Sequence, residues 1–205
     1  MDRLTAPGSA LERVASGVYR LAGAPIPDHM DLRAAWLQLA PETPAWERRP
    51  DQGVVSHRSA AAMYGLGHLV ADTHEFTLPH RRQTRRHDVR LHIRPVDDGE
   101  WIRLDGLPVL RPSRTASDLL WDHEDPEAVA QIIAESTRRA FDYPGTFAAA
   151  LAPHAARFSF RRGDGLSLLR WLLSLVSPSE TDRWMDEANQ PVDESGQRLR
   201  AGAQQ

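Results

Sequence analysis

The sequence has no lysine and no cysteine among its 205 residues, and all 25 of its basic side chains are arginines. Without lysine, the chain can form no lysine Schiff base and no Walker-type phosphate loop, whose lysine reaches the terminal phosphates. A nuclease with a catalytic lysine beside two acidic residues is excluded for the same reason. Without cysteine, there is no thiol nucleophile, no disulfide framework and no thiolate zinc site. The two absences remove much of the usual chemistry of enzymes.

Long hydrophobic runs are also lacking. The longest nearly apolar stretch, residues 166–176, has 11 residues and contains Arg170, whereas a helix needs about 20 apolar residues to span a bilayer. The N-terminal residues, Met-Asp-Arg-Leu-Thr, do not form the apolar core of a signal peptide. We therefore predict a cytoplasmic protein without a membrane partner.

Charge is distributed unevenly along the chain, although its net value is only −3. Residues 80–94 contain six arginines and one aspartate, a local charge of +5, which leaves −8 on the rest of the chain. Residues 97–127 contain nine acidic side chains and three arginines, a local charge of −6. An arginine-dense segment can bind phosphates, because the planar guanidinium matches their geometry. It can equally be a solvated loop, and the sequence leaves both interpretations open.

Candidate catalytic and metal-binding groups do not form a recognisable pattern. The nine histidines show no cluster with carboxylates at metal-ligand spacing, so we expect no metal and no cofactor. Ser56 and His57 are adjacent in a predicted helix start, where we expect the side chains to point apart and Ser56 to act as the N-cap. Asp97, Asp98 and Glu100 fit a solvated turn better than a catalytic pair. These observations predict a protein that is not an enzyme.

The pattern of apolar residues predicts an α+β fold. Residues 11–14 and 18–21 alternate around Ala15-Ser16-Gly17, which is typical of a tight hairpin. Further strands are predicted at 53–55, 75–78 and 89–94 and on both sides of Asp105-Gly106, and a helix is predicted after Ser56. In 89–94, we expect Val89, Leu91 and Ile93 to face inward and Arg90, His92 and Arg94 to form a basic outer face. From residue 112 onward the sequence predicts helices, so the middle is a mixed or antiparallel sheet with helices and the C-terminal third is helical.

Several stretches together resemble a known family. Residues 11–21 (Leu-Glu-Arg-Val-Ala-Ser-Gly-Val-Tyr-Arg-Leu) resemble the wing hairpin that closes the winged helix-turn-helix of AbiEi-type antitoxins. The likeness covers roughly residues 3–188, and its order and spacing carry it more than any single motif. It continues through residues 53–61 (Gly-Val-Val-Ser-His-Arg-Ser-Ala-Ala), 75–77, 81–86 (Arg-Arg-Gln-Thr-Arg-Arg), 88–92, 106–109 and 114–119 (Arg-Thr-Ala-Ser-Asp-Leu).

The resemblance implies an antitoxin and autorepressor whose partner is a nucleotidyltransferase-like toxin and which acts without catalysis. Residues 1–23 would be the remnant of a winged helix-turn-helix, residues 28–188 an α/β antitoxin body and residues 189–205 a disordered tail. The candidate DNA-binding residues are all arginines on the wing and the basic patch. They are Arg3, Arg13, Arg20, Arg81, Arg82, Arg85 and Arg86.

The N-terminus departs from the family. Members usually carry a few dozen residues before the wing, which form the first helices of the DNA-binding domain, whereas here residues 2–5 correspond to the last turn of the recognition helix. A helix-turn-helix reads base edges through the N-terminal part of that helix. We therefore expect an N-terminally truncated member, either because translation starts upstream or because operator reading has been lost. Sequence-specific binding of operator DNA is not expected of these 205 residues.

Two alternatives remain at this point. The chain can be a DNA-binding transcriptional regulator without a toxin partner, in which case the arginine-rich patch binds duplex DNA in a salt-sensitive way. It can also be an endonuclease-related DNA-processing protein, in which Asp97 or Asp98 binds a metal, although the missing lysine and the helical C-terminal third argue against that.

Overall fold

The computed structural model describes residues 10–190 and divides into two compact units. Unit 1 comprises Met1–Gly65 and Val70–Leu110, and unit 2 comprises Leu66–Leu69 and Arg111–Gln205. The mixture of helices, a mixed sheet and a hairpin confirms the predicted α+β class. None of the helices within residues 10–190 is both long enough and apolar enough to cross a bilayer.

In its described residues, from 10 onward, unit 1 contains a two-stranded hairpin, a five-stranded sheet and two α-helices. Its elements are β1 (Leu11–Ala15), β2 (Val18–Leu21), α1 (Met30–Leu39), β3 (Val54–Val55), α2 (His57–Tyr64), β4 (His74–Leu78), β5 (Val89–Ile93), β6 (Trp101–Leu104) and β7 (Leu107–Leu110). The sheet has the strand order β5-β4-β3-β7-β6. Strand β3 runs antiparallel to β4 and parallel to β7, while β5 is parallel to β4 and β6 is antiparallel to β7.

Both hairpins predicted from the sequence are confirmed. In the first, β1 and β2 pair antiparallel and Gly17 takes the positive φ of +73° that the tight turn requires. In the second, Asp105 and Gly106 both have positive φ, 49° and 80°, between β6 and β7. Two consecutive positive φ values are the signature of a type I′ turn, whose twist matches that of the flanking strands.

The core of unit 1 lies between the central strands and the two helices. Val54 and Val55 of β3 and Phe76 of β4 are completely buried. Trp36 of α1 is 3% exposed, and its indole Nε1–H donates to the carbonyl of Gly53, 2.8 Å away. An indole N–H needs such a partner when it is buried, so this bond fixes α1 against the chain that leads into β3.

A buried arginine closes the C-terminal end of α1. Arg48 is only 6% exposed and donates to the carbonyl oxygens of Trp36, Leu37, Ala40 and Thr43 at 2.5–3.0 Å. The last carbonyls of a helix have no partner within the helix, and a cation at this end also interacts favourably with the helix dipole. The guanidinium lies 4.4 Å from the centre of the Trp36 ring. The pKa of Arg48 is lowered, first by its burial and then by the positive charge of Arg82.

The predicted face of β5 is wrong at two positions. His92, which we expected on the outer face, is 9% exposed, and Ile93, which we expected inside, is 55% exposed. Strand β5 pairs with β4 in a register that places His92 opposite Thr77 and Arg90 opposite Glu75. Side chains of these residues share one face of the sheet, and the buried carboxylate of Glu75 holds the His92 ring there at 3.2 Å. The alternation of apolar and polar residues in β5 does not reveal that a buried carboxylate on the neighbouring strand will bind His92.

Unit 2 is helical in its described part, as predicted for the C-terminal third. Its helices are α3 (Pro112–Trp121), α4 (Pro126–Arg138), α5 (Pro144–Leu151), α6 (Gly165–Val176) and α7 (Pro178–Ala188). Helices α5 and α6 approach at backbone distance, because a Cβ on Gly165 would lie 1.9 Å from the carbonyl oxygen of Ala148. Asp164 caps α6 by accepting from the N–H of Ser167 at 2.9 Å.

Two predictions fall wholly or partly outside the described residues. Residues 2–5, which we matched to the end of a recognition helix, precede residue 10, and the predicted tail at 189–205 lies mostly after residue 190. The domain boundaries at 1–23, 28–188 and 189–205 stay a prediction.

The contacts of Arg48 predict a strong effect on stability. Replacing Arg48 by Met should lower the free energy of unfolding by on the order of 3 kcal/mol, because four carbonyls in the last turn of α1 and the chain that follows it lose their charged donor. Replacing Arg48 by Lys should cost less, but still measurably, since one ammonium cannot span the same oxygens. Urea unfolding followed by circular dichroism measures both variants. The matched control is Arg49→Met on the neighbouring exposed arginine, and equal losses at both positions would contradict the assigned role.

Candidate functional site

Three exposed arginines lie in the segment between β4 and β5. We call residues 81–86 the arginine segment. Arg81, Arg82 and Arg85 are exposed, and none of them forms an ion pair with another described residue. Their guanidinium groups therefore carry charge that the described part of the chain does not neutralise. Exposed guanidinium groups of this kind are suited to phosphate or carboxylate ligands.

Arg86, at the end of the segment, is held differently. Its Nε donates to Oδ1 of Asp88 at 2.9 Å and its Nη2 to Oδ2 of the same carboxylate. Its Nη1 donates to Oε1 of Gln38 at 2.9 Å. The hydrogen bonds between the two charged groups raise the pKa of Arg86 and lower the pKa of Asp88 to about 2. Arg86 is thus an internally paired cation, unlike its three neighbours.

Gln38 links this ion pair to the hairpin. While its Oε1 accepts from Arg86, its Nε2 donates to the carbonyl of Ser16 at 2.6 Å. Ser16 lies in the turn between β1 and β2. One side chain of α1 therefore connects the hairpin turn to the arginine segment. No sequence pattern pointed to a role for Gln38 or Asp88 in this site, although the Arg-x-Asp spacing at 86–88 is visible in the sequence.

The hairpin turn, α1 and the arginine segment frame one cleft of about 310 Å³ within unit 1. We call it the basic cleft. Its lining residues are Ser16, Ala35, Gln38, Leu39, Arg82, Gln83, Thr84, Arg85 and Arg86. Since Arg82 and Arg85 are charged and exposed while Arg86 is compensated by Asp88, the net charge of the lining is positive. A concave positive surface attracts anions.

The buried Arg48 adds to the positive potential in this region. The pKa of Arg48 is lowered by its burial and, to a smaller extent, by the positive charge of Arg82. The described contacts of Arg48 are with carbonyl oxygens and the Trp36 ring, and they include no carboxylate.

The predicted arginines of the wing are less suited to a ligand. Arg20 pairs across the hairpin with Glu12, at 2.5 Å, and donates to the carbonyl of Ala24 at 2.6 Å. Arg13 is exposed and its Nε donates to the carbonyl of Ala15 at 3.4 Å. Neither lines the basic cleft. Arg3 lies outside the described residues. The structure thus brings the hairpin turn, rather than the hairpin arginines, next to the arginine segment.

A second polar arrangement is buried at the start of α2. Ser56 occupies the N-cap position, as predicted, but its hydroxyl makes no cap hydrogen bond and instead lies 3.0 Å from Nδ1 of His57. The prediction that these two side chains point apart is wrong. His57 has a positive φ of 50°, which turns its side chain back toward Ser56. Glu75 instead binds the N-terminus of α2, because its Oε2 accepts from the backbone N–H of Arg58 at 2.9 Å.

Glu75 joins this arrangement to the sheet. Its Oε1 lies 3.2 Å from Nε2 of His92, and the His92 ring stacks on that of His57 at 3.5 Å between centroids. Imidazole and carboxylate groups are donor types that zinc uses, but Nε2 of His92 is already engaged by Glu75. The four side chains of Ser56, His57, Glu75 and His92 are at most 9% exposed. They hold α2, β4 and β5 together, and we assign them to the framework of unit 1.

The acidic residues considered for an endonuclease lie in a turn. Residues 98–100 form a short 3-10 helix before β6, and Asp97 immediately precedes it. Oε2 of Glu100 accepts from the backbone N–H of Asp97 at 2.9 Å. Asp97 and Asp98 are exposed, so the predicted solvated turn is confirmed.

The ion pair between Arg86 and Asp88 predicts a pH dependence. Because the pKa of Asp88 is depressed to about 2 in the folded protein, its stabilisation is complete above its unfolded value of about 4 and is lost as the pH falls toward 2. Asp88→Asn should therefore lower the free energy of unfolding at pH 7 by about 1 kcal/mol, a value reduced for solvent screening. Below pH 4 the difference from the unaltered protein should shrink.

Urea unfolding across the acid range measures this difference. Asp98→Asn removes the same charge from an exposed turn and serves as the matched control. A loss for Asp88→Asn that stays constant with pH, or one that the control reproduces, would contradict the assignment.

A comparison of the chain with models of protein families gives no match, and a comparison with curated proteins gives none either. What the chain does is therefore inferred from its residues and from the geometry of unit 1.

Proposed function

We propose that this chain is a regulatory protein of the AbiEi antitoxin type, which acts by contact rather than by catalysis. It neutralises a nucleotidyltransferase-like toxin, and unit 1 binds the phosphates of nucleic acid through the basic cleft. In a form that includes a complete winged helix-turn-helix, the same protein represses its own operon.

The single observation that carries the nucleic-acid part is the basic cleft itself. Residues from the hairpin turn and from the arginine segment, far apart in sequence, line one concave surface. Arg82 and Arg85 present exposed charge there, and Arg81 extends it. Arginine contacts to phosphates orient a protein on a duplex. Such contacts carry no sequence information, so we expect binding of this chain to depend on salt and little on sequence.

The toxin part rests on the resemblance and is supported by the same charges. A nucleotidyltransferase holds its metal ions through acidic side chains, and exposed guanidinium groups are suited to carboxylates as well as to phosphates. The arginine segment thus offers a surface that can cover an acidic active site without any chemical step.

Coexpression tests the neutralisation. Production of the toxin encoded beside this gene should arrest growth, and simultaneous production of the chain should restore it. The two proteins should also copurify as a complex. Undiminished arrest in cells that accumulate the folded chain would contradict neutralisation. A matched strain that produces the chain without the toxin controls for effects of the chain itself.

A regulator without a toxin partner is the second candidate, and the basic cleft favours it equally. Under either candidate the chain should bind duplex DNA with an affinity that falls as salt rises. Replacing both Arg82 and Arg85 by Ala should make the slope of log K against log salt shallower by about 1.8, since each phosphate contact contributes about 0.9. Fluorescence anisotropy with a short labelled duplex at several salt concentrations measures the slope.

The control removes two exposed arginines from unit 2. The variant Arg161→Ala with Arg162→Ala changes the net charge by the same amount and should leave the slope near that of the unaltered chain. Equal changes in both variants would show that overall charge, and not the basic cleft, determines binding. Duplex binding without growth rescue would leave the regulator without a toxin as the function.

A further inference from the structure

The residues that line the basic cleft divide into two groups, and the geometry points to different roles for them. We infer that Arg86 and Gln38 are positioning residues, which hold the hairpin turn and the phosphate-binding arginines in place without touching phosphate themselves. Arg82 and Arg85 are the phosphate contacts. The inference rests on the proposed binding of nucleic acid by unit 1 and assigns the roles within that site.

Each nitrogen of Arg86 already makes one hydrogen bond, so three of its five N–H donors are in use. Two of its nitrogens bind the Asp88 carboxylate in the side-by-side arrangement that suits a guanidinium, and the third binds Gln38. Its charge is compensated by Asp88, so a phosphate that approached Arg86 would compete with a carboxylate already in place. Arg82 and Arg85 have no such partner among the described residues.

Gln38 is similarly occupied at both ends of its amide. Its oxygen accepts from Arg86 and its nitrogen donates to the carbonyl of Ser16. The helix that carries Gln38 is itself fixed, because Trp36 binds Gly53 and Arg48 closes the C-terminal turn. A continuous series of hydrogen bonds therefore runs from Asp88, directly before β5, through Arg86 and Gln38 to the hairpin turn.

A local turn also constrains the backbone of the arginine segment. The backbone N–H of Arg86 also binds Oγ1 of Thr84 at 3.1 Å, which closes a tight turn around Arg85. Arg85 is thus held on both sides, by Thr84 and by Arg86, while its own side chain stays exposed. Fixing the backbone in this way lowers the conformational entropy that binding must remove from the arginine segment.

Contact and positioning make different predictions about salt. A cation that contacts a phosphate releases counterions, so its removal makes the salt dependence shallower by about 0.9. A positioning residue changes affinity while the number of ionic contacts stays the same. Gln38 carries no charge, which makes it the cleanest probe of positioning.

The experiment measures duplex affinity against salt for four variants of the full chain, one of them a control. Gln38→Ala breaks the link without changing charge, and Arg86→Gln combined with Asp88→Asn removes the ion pair at constant net charge. Each should weaken binding by about fivefold, the effect of one lost hydrogen bond, with an unchanged salt slope. Arg82→Ala should weaken binding and lower the slope by about 0.9. Gln190→Ala, a change at an exposed glutamine of unit 2 that does not line the basic cleft, should bind like the unaltered chain.

Hydrogen exchange gives a second readout that does not require DNA. In Gln38→Ala, the amides of the peptide that covers residues 11–21 should exchange faster than in the unaltered chain, whereas those of α6 should not change. A slope that falls for the Arg86 and Asp88 double variant as it does for Arg82→Ala would show that Arg86 contacts phosphate. Unchanged affinity in both positioning variants, or unchanged exchange in the hairpin, would also overturn the inference. Absence of duplex binding by the unaltered chain would instead contradict the proposed function, and the exchange experiment would still test the link.

Discussion

The arrangement of the candidate site depends on one guanidinium group, that of Arg86. It is shared between the carboxylate of Asp88 and the amide oxygen of Gln38. The carboxylate fixes it to the start of β5, and the amide fixes it to α1 and, through Ser16, to the hairpin turn. Without this group the arginine segment would be attached only at its two ends, where it leaves β4 and enters β5. With it, the hairpin and the segment border one cleft.

Arginine is the only cation available to this chain, and the structure uses it in distinct ways. Arg48 is buried and binds four carbonyls in the last turn of α1 and in the chain that follows it, which a planar group with five donors can do and an ammonium cannot. Arg20 pairs across the hairpin with Glu12. The exposed arginines of the segment, which form no ion pair with another described residue, are among those that can bind an external anion. A count of arginines in the sequence therefore overstates the surface that is free to bind.

Local features of the fold were predictable from the sequence because local chemistry determines them. The Asp-Gly pair at 105–106 favours a turn with two positive φ values, and the helical patterns from residue 112 onward became helices. The class α+β followed from where strand-like and helix-like patterns occur. These predictions did not depend on which helices and strands contact one another in three dimensions.

Features that depend on distant residues were not predictable in the same way. Gln38 and Arg86 are 48 residues apart, so no pattern within either segment indicates that they bond. The same holds for Glu75 and His92, 17 residues apart, whose contact reverses the expected face of β5 at His92. The contact between Ser56 and His57 was not predicted because it accompanies an unusual backbone conformation. A positive φ at a histidine is uncommon. The arginine segment was found from its charge, but the division between contact and positioning appears only in three dimensions.

Nuclear magnetic resonance of the arginine Nε–H groups, recorded during titration with a short DNA duplex, can distinguish arginines that contact phosphate from the arginine that positions them. Signals are assigned from single substitutions in the 15N-labelled full chain. We expect the Nε–H signals of Arg82 and Arg85 to shift in proportion to bound DNA, while that of Arg86, already bonded to Asp88, stays near its free position. Shifts confined to arginines of unit 2, or a shift of Arg86 as large as those of Arg82 and Arg85, would contradict the proposed basic cleft and its internal roles.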